Sequence, residues 1–233
     1  MSERAVVLLS GGMDSTTLLY YALHEGYEVE VLIFDYGQKH RKEMFVAQSL
    51  ARDLNLPATI IAIPDLGKLG GSALTDPRIP VPAQADKRQP DTVVPMRNSH
   101  FLCWAASVCE VKGIRHIFIG ANAEDYASYP DCRPEFYEAM QEALRRGSKN
   151  LKDLIIHTPF IHWRKAEIVA LGLKLGVPYE RTWTCYQGGV LPCRICDACR
   201  EREAAFEENG ITDPLLVHLT SLTFRNQTKL GQL

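Results

Sequence analysis

The stretch Ala5-Val-Val-Leu-Leu-Ser-Gly-Gly-Met-Asp-Ser15 decides the fold. Its first five residues form a continuous apolar, β-branched-rich run, the pattern of a strand buried on both faces of a parallel sheet. Gly11 and Gly12 provide a tight turn. From Ser15 onward Leu18, Leu19, Ala22 and Leu23 recur at helical spacing, and Gly26 lies where that helix stops. The same alternation continues outward. It predicts strands over 28–34, 58–63, 116–120 and 155–158, with helices over 40–54, 134–146, 165–175 and from Arg97 to Gly113. Parallel strands joined by right-handed helical crossovers satisfy this order, so the expected fold is α/β: a Rossmann-like parallel sheet with helices on both faces.

Two segments interrupt the alternation. Residues 64–96 are proline-rich and lack periodicity, which predicts a long loop of the kind that serves as a lid or binding segment. Beyond Thr182 the chain becomes cysteine-rich, with a short helix expected over about 197–208 and no assignment for the tail. The expected organisation is a nucleotide-binding domain over 1–181 and a C-terminal metal-binding subdomain over 182–233 packed on it.

Composition narrows the function. The 233 residues are 46% hydrophobic, enough for one full core, and the formal charge of -2 argues against a nucleic-acid partner. No apolar run suits a signal segment or a membrane span, so a cytoplasmic protein without a membrane partner is expected. In that reducing compartment the seven cysteines point to metal binding or catalysis rather than disulfides.

Ser10-Gly11-Gly12-Met13-Asp14-Ser15 joins the first strand to the first helix. Unpaired helix N–H groups and a dipole of roughly +0.5 charge favour a bound anion there. The two glycines let the backbone approach phosphate oxygens, and the serine hydroxyls add donors. The string has neither the Gly-Lys-Ser/Thr ending of a P-loop nor the Gly-x-Gly-x-x-Gly pattern. Cys185, Cys193, Cys196 and Cys199 form a second pattern, C-x7-C-x2-C-x2-C. Four thiolates at this spacing suit tetrahedral Zn²⁺ with no open position, hence a structural site, though iron fits the same ligands. Cys103 and Cys109 are read as core residues of an apolar helix.

The Ser-Gly-Gly-x-Asp-Ser string resembles the pyrophosphate loop of the PP-loop ATP pyrophosphatase superfamily, whose fold is of the adenine nucleotide alpha hydrolase-like kind. Further strings follow in order: Phe34-Asp-Tyr-Gly-Gln-Lys-His40, Val94-Pro-Met-Arg-Asn98, Asp125 with Tyr129-Pro-Asp-Cys-Arg133, Thr158-Pro with Lys165 and Glu167, and Thr184-Cys-Tyr186. Together they resemble the 7-cyano-7-deazaguanine synthase family of queuosine biosynthesis, from Ala5 to about Phe206. That resemblance implies a homodimeric ligase that adenylates 7-carboxy-7-deazaguanine with Mg²⁺-ATP, admits free ammonia to give an amide, then activates and dehydrates the amide to the nitrile. It implies ATP binding by Ser10, Gly11, Gly12, Asp14, Ser15, Asp35, Arg97 and Lys165, with Asp14, Arg97 and Lys165 nearest the chemistry. Tyr36, Gln38, Asn98, Asp125, Tyr129, Asp131 and Arg133 are then candidates for holding the deazaguanine.

From the residues alone, the alternative for Arg97 is a surface arginine beside an Asn98 helix cap, and for Lys165 an exposed first-turn lysine; the resemblance favours the functional reading of Arg97. His40 reads as a proton-transfer group or a helix-cap histidine. His100, His116, His157 and His162 have no ligand spacing and are taken as structural. The chain departs from the family pattern at Met96, Ala127-Ser128, Arg194 and Glu201. The first two departures bear on substrate packing, so a related enzyme that stops at the amide or passes the acyl group to another acceptor is the main alternative. A PP-loop tRNA modifier comes after it.

Overall fold

The computed structural model describes residues 2–83, 91–125 and 129–221. Residues 84–90 of the proline-rich segment, Ala127 and Ser128, and the tail from 222 lie outside the described residues. Five parallel strands, β1 (Arg4–Leu8), β2 (Glu28–Asp35), β3 (Ala58–Ala62), β4 (His116–Phe118) and β5 (Ile155–His157), form one sheet in the order β3-β2-β1-β4-β5. Val7 of β1 pairs with Val31 on one side and Phe118 on the other. Among the described residues the helices include α1 (Met13–His24), α2 (Lys42–Asp53), α3 (Pro64–Lys68), α4 (Arg97–Lys112), α5 (Pro134–Gly147), α6 (Lys165–Leu175) and α7 (Asp197–Glu208).

The alternation of β1 sets both faces. Ala5, Val7 and Leu9 point into a core with Leu18 and Leu19 of α1, Met44 and Ala47 of α2 and Ile168 of α6. Val6 and Leu8 point the other way, onto Leu102, Ala105 and Cys109 of α4 and Tyr137 of α5. Each face is sealed by helices, which is why β1 is apolar at consecutive rather than alternate positions. The stretch expected to be a loop over 64–96 opens with α3, a single turn started by Pro64 at the helix N-terminus. Residues 214–221, unassigned from sequence, are helical. Among the described residues no helix is long and apolar enough to cross a membrane.

The C-terminal segment shares a core with the sheet domain. Ala205 and Phe206 of α7 pack with Met13, Val169, Val177 and Tyr179. Arg202, 3% exposed, donates to both carboxylate oxygens of Asp213 at 2.7 and 2.8 Å and to the Tyr179 carbonyl at 2.9 Å. A buried ion pair with its remaining donors satisfied locks α7 to the chain on either side of it.

His116 and His157, structural histidines by their sequence spacing, meet across β4 and β5: His116 Nδ1 and His157 Nε2 lie 2.9 Å apart, one donating to the other. Burial and the neighbouring His116 hold His157 down at about 4, against an ordinary value of 6.5. The unfolded chain therefore takes up this proton first, and the stability tied to a neutral His157 is present above pH 6.5 and lost as pH falls towards 4. Melting temperature should decline across that window, and His157→Gln should flatten the decline.

Candidate active site

The switch point of the sheet lies between β1 and β4, whose connections leave in opposite directions, and a crevice opens beyond their C-terminal ends. The residues after β1 close its floor. Gly11 takes φ +92°, a left-handed conformation natural to glycine, and a Cβ there would run into the carbonyl of Glu43 and lie 2.9 Å from the Ala47 amide. The Ser10 and Ser15 hydroxyls are 2.9 Å apart, and Gly12 N–H donates to Ser10 Oγ at 3.1 Å. Gly12, the N-cap of α1, supplies no side-chain cap, and Gly12, Met13, Asp14 and Ser15 all line the cavity. A helix N-terminus left uncapped beside a cavity favours an anion. Gly11→Ala should cost several kcal/mol, on the scale of a close backbone clash in a packed interior, and distort the anion-binding turn; the shift in thermal unfolding checks it.

The cavity has a volume of about 290 Å³. One wall is charged. Lys165, 6% exposed at the start of α6, places Nζ 2.9 Å from Glu201, 3.6 Å from Asp125 and 3.7 Å from Glu124. Burial opposes its charge, but Asp125, Asp14 and Glu201 together hold the ammonium well above its usual range. Asp14 faces the same group. Burial pushes its carboxyl up to about 7 against the pull of Lys165; Oδ2 accepts from Asn122 Nδ2 at 3.3 Å, while buried Oδ1 has no hydrogen-bond partner among the described residues.

The opposite wall is aromatic and cationic. Phe34 stacks on Phe101 at 4.0 Å, Tyr36 tilts against Phe101 at 5.5 Å, and the Arg97 guanidinium lies 5.9 Å from the Phe101 ring. Tyr129 shares a 2.7 Å hydrogen bond with Thr92, and Tyr186 lies close by. Such a slot suits a flat heterocycle next to an acidic group, which the guanidinium can grip.

Behind this crevice the sulfur atoms of Cys185, Cys193, Cys196 and Cys199 all lie within 4.8 Å of one another. Cys193 and Cys199 are 3.9 Å apart, close to the roughly 3.8 Å that two ligands of a tetrahedral Zn²⁺ with about 2.3 Å bonds must keep. Backbone amides of Cys193 and Cys196 donate to Cys185 Sγ and Cys193 Sγ at 3.3 and 3.4 Å, which helps hold sulfur as thiolate. The cluster fits zinc. It is tied to the phosphate loop by Trp183, whose backbone N–H donates to the Gly11 carbonyl and whose indole donates to the Cys185 carbonyl, each at 3.0 Å.

The family model described as "Queuosine biosynthesis protein QueC" matches residues 4–210. The chain belongs to the QueC family. Its curated relatives include two proteins named 7-cyano-7-deazaguanine synthase: one from Thermoplasma volcanium, 48% identical over 92% of this chain and 91% of that protein, and one from Trichodesmium erythraeum, 45% identical over 91% and 100%. Among solved structures, an NMN synthetase from Francisella tularensis aligns with a TM-score of 0.54 at 17% identity, covering 98% of this chain and 87% of that one. That likeness concerns the fold alone.

In this QueC-family chain the cavity brings together Ser10, Gly12, Asp14, Ser15, Tyr36, Gln38, Arg97, Asn98, Asp125, Tyr129 and Lys165. Four other candidates do not line it. Gly11 lies beneath, under α2. Asp35 turns to Arg41, 3.1 Å away, and accepts from the Gly37 amide. Asp131 accepts from the Asn98 amide at 3.2 Å and so braces the start of α4, while Arg133 precedes α5 as its N-cap residue. Lys165 and Arg97 are not the exposed side chains that local sequence allowed. Of the departures from the QueC pattern, Met96 is 63% exposed and does not line the cavity. Arg194 adopts φ +62° and pairs with Glu203 at 2.7 Å, and Glu201 is a direct partner of Lys165. Sequence reasoning missed Glu43, Glu124, Phe101 and Cys132 as lining residues. Glu124 beside Asp125, and Phe101 one turn after Arg97, were the available signals.

Proposed function

We propose that this QueC-family chain is an ATP-dependent ligase that converts 7-carboxy-7-deazaguanine and ammonia to 7-cyano-7-deazaguanine. The observation that carries the reading is a phosphate-type loop facing the same cavity as two cations, the buried Lys165 and the half-buried Arg97, in a chain whose relatives bear that enzyme's name.

A carboxylate oxygen is a poor leaving group, and transfer of an adenylyl group to it from ATP makes it a good one. Ser10, Gly12 and Ser15 with the α1 amides supply donors for the phosphates, and Lys165 offsets charge that builds as pyrophosphate leaves. Arg97 holds the substrate carboxylate, and the Tyr36, Phe101, Tyr129 and Tyr186 rings surround the heterocycle. Attack by ammonia then expels AMP and leaves the amide. Adenylation of the amide oxygen and loss of AMP with the remaining N–H proton give the nitrile. Mg²⁺ arriving with ATP would meet Asp14, whose buried Oδ1 has no partner among the described residues. Zn²⁺ held by Cys185, Cys193, Cys196 and Cys199 would be structural, with all four positions filled. The cytoplasmic location, the homodimer and the division near residue 181 belong to this same proposal.

Incubation with Mg²⁺-ATP, ammonium and 7-carboxy-7-deazaguanine, followed by mass spectrometry, tests it. Nitrile with two AMP per product is the expected result; amide with one AMP would show an enzyme that stops halfway.

A further inference from the structure

Glu43 belongs to the first turn of α2, lines the cavity, and has no place in the steps above. Among the described residues neither a hydrogen bond nor an ion pair reaches its carboxylate, although the groups around it are polar: Arg97 acts on it from α4 and Tyr36 from just after β2, and His40 lines the same cavity. Its position is fixed by the phosphate loop itself. The Glu43 carbonyl occupies the space where Gly11 would carry a side chain, so α2 and the loop keep one register and the carboxylate stays beside the floor on which the acyl adenylate would form.

We propose that Glu43 is the general base of the amide-forming step, accepting the proton that ammonia must lose as it attacks the acyl adenylate. The inference rests on the ligase reading. In the step the ammonia nitrogen forms a bond to the acyl carbon, and the bond from that carbon to the adenylyl oxygen breaks, its electron pair leaving with AMP. One N–H proton passes to a Glu43 oxygen and then to solvent, so the net change is acyl adenylate plus ammonia to amide, AMP and a proton. A carboxylate with no competing partner among the described residues, lining the cavity in which the acyl adenylate would form, is suited to this transfer. Burial, against the pull of Arg97, raises its carboxyl to about 8, so a proton taken from a nitrogen centre is held rather than returned at once.

The test separates the two halves of the reaction at fixed free ammonia rather than fixed ammonium. In Glu43→Gln, substrate-dependent exchange of labelled pyrophosphate into ATP should stay within about 3-fold of wild type. Single-turnover amide formation should fall by roughly 10²–10⁴-fold and lose its rise with pH through about 8, and Glu43→Asp should recover part of the rate. Amide formation by Glu43→Gln near the wild-type rate would overturn the proposal, and so would a parallel fall in exchange and amide formation, which marks a structural residue. Wild-type protein that exchanges no pyrophosphate would instead remove the ligase reading, and this inference with it.

Discussion

Lys165→Met is expected to lower kcat/KM for ATP-dependent activation by about 10²–10³, the scale on which a single preorganised electrostatic contact to developing charge acts. The reason lies in the balance around Nζ. Glu201, Asp125 and Glu124 lie 2.9, 3.6 and 3.7 Å from one ammonium, and Asp14 faces the same centre. Without the cation these carboxylates repel one another in a poorly solvated site, where breaking a buried pair costs roughly 3–5 kcal/mol. The acids then take up protons, and the wall that balanced a triphosphate becomes neutral or repulsive. Lys165→Arg keeps the charge but not the compact geometry, and should recover only part of the rate. Pyrophosphate exchange measures the loss, and thermal unfolding reports its structural share. Exchange by Lys165→Met within about 3-fold of wild type would show that the phosphates do not depend on this ammonium.

Removing the zinc proposed for the four-cysteine cluster should have the largest effect on stability. Structural Zn²⁺ contributes about 10–16 kcal/mol of apparent binding energy in small zinc modules, because its site exists only in the folded chain. Here the four sulfurs lie in a small core with Trp183, Ala198 and Leu215 rather than at a free tip. Cys199→Ser is therefore expected to lose bound zinc and lower the melting temperature by more than about 10 °C. The damage should reach the phosphate loop, since Trp183 hydrogen-bonds to both the Gly11 and Cys185 carbonyls. A strong chelator applied to wild-type protein should reproduce the loss and shift tryptophan emission. Full zinc content and an unchanged melting temperature in Cys199→Ser would refute a four-cysteine site. Zinc loss with pyrophosphate exchange intact would refute the link through Trp183.

Much of this was legible along the chain because the deciding signals are local. The run Ala5 to Leu9 is apolar at consecutive positions because helices cover both faces of β1, and a strand, a glycine turn and a helix can be read from fewer than twenty residues. The four cysteines declare a metal site by spacing, since chain geometry limits which thiols can share one ion. Helices α4 and α6 were equally plain, being long and periodic between recognisable stops.

Which side chains share the cavity was decided elsewhere. Placing β4 rather than β3 beside β1 brings Asn122, Glu124 and Asp125 over the phosphate loop, and only then does Lys165 from α6 gain its carboxylate partners. The seating of α2 on Gly11 turns Glu43 from an ordinary first-turn acid into a half-buried one that lines the cavity, and the hydrogen bond from the Asn98 backbone leaves Asp131 as a brace for α4 instead of a wall of the site. Periodicity and spacing report how a segment is covered and how it bends. They carry no term for the identity of the neighbour across the crevice, because that follows from crossover connections joining residues more than a hundred positions apart.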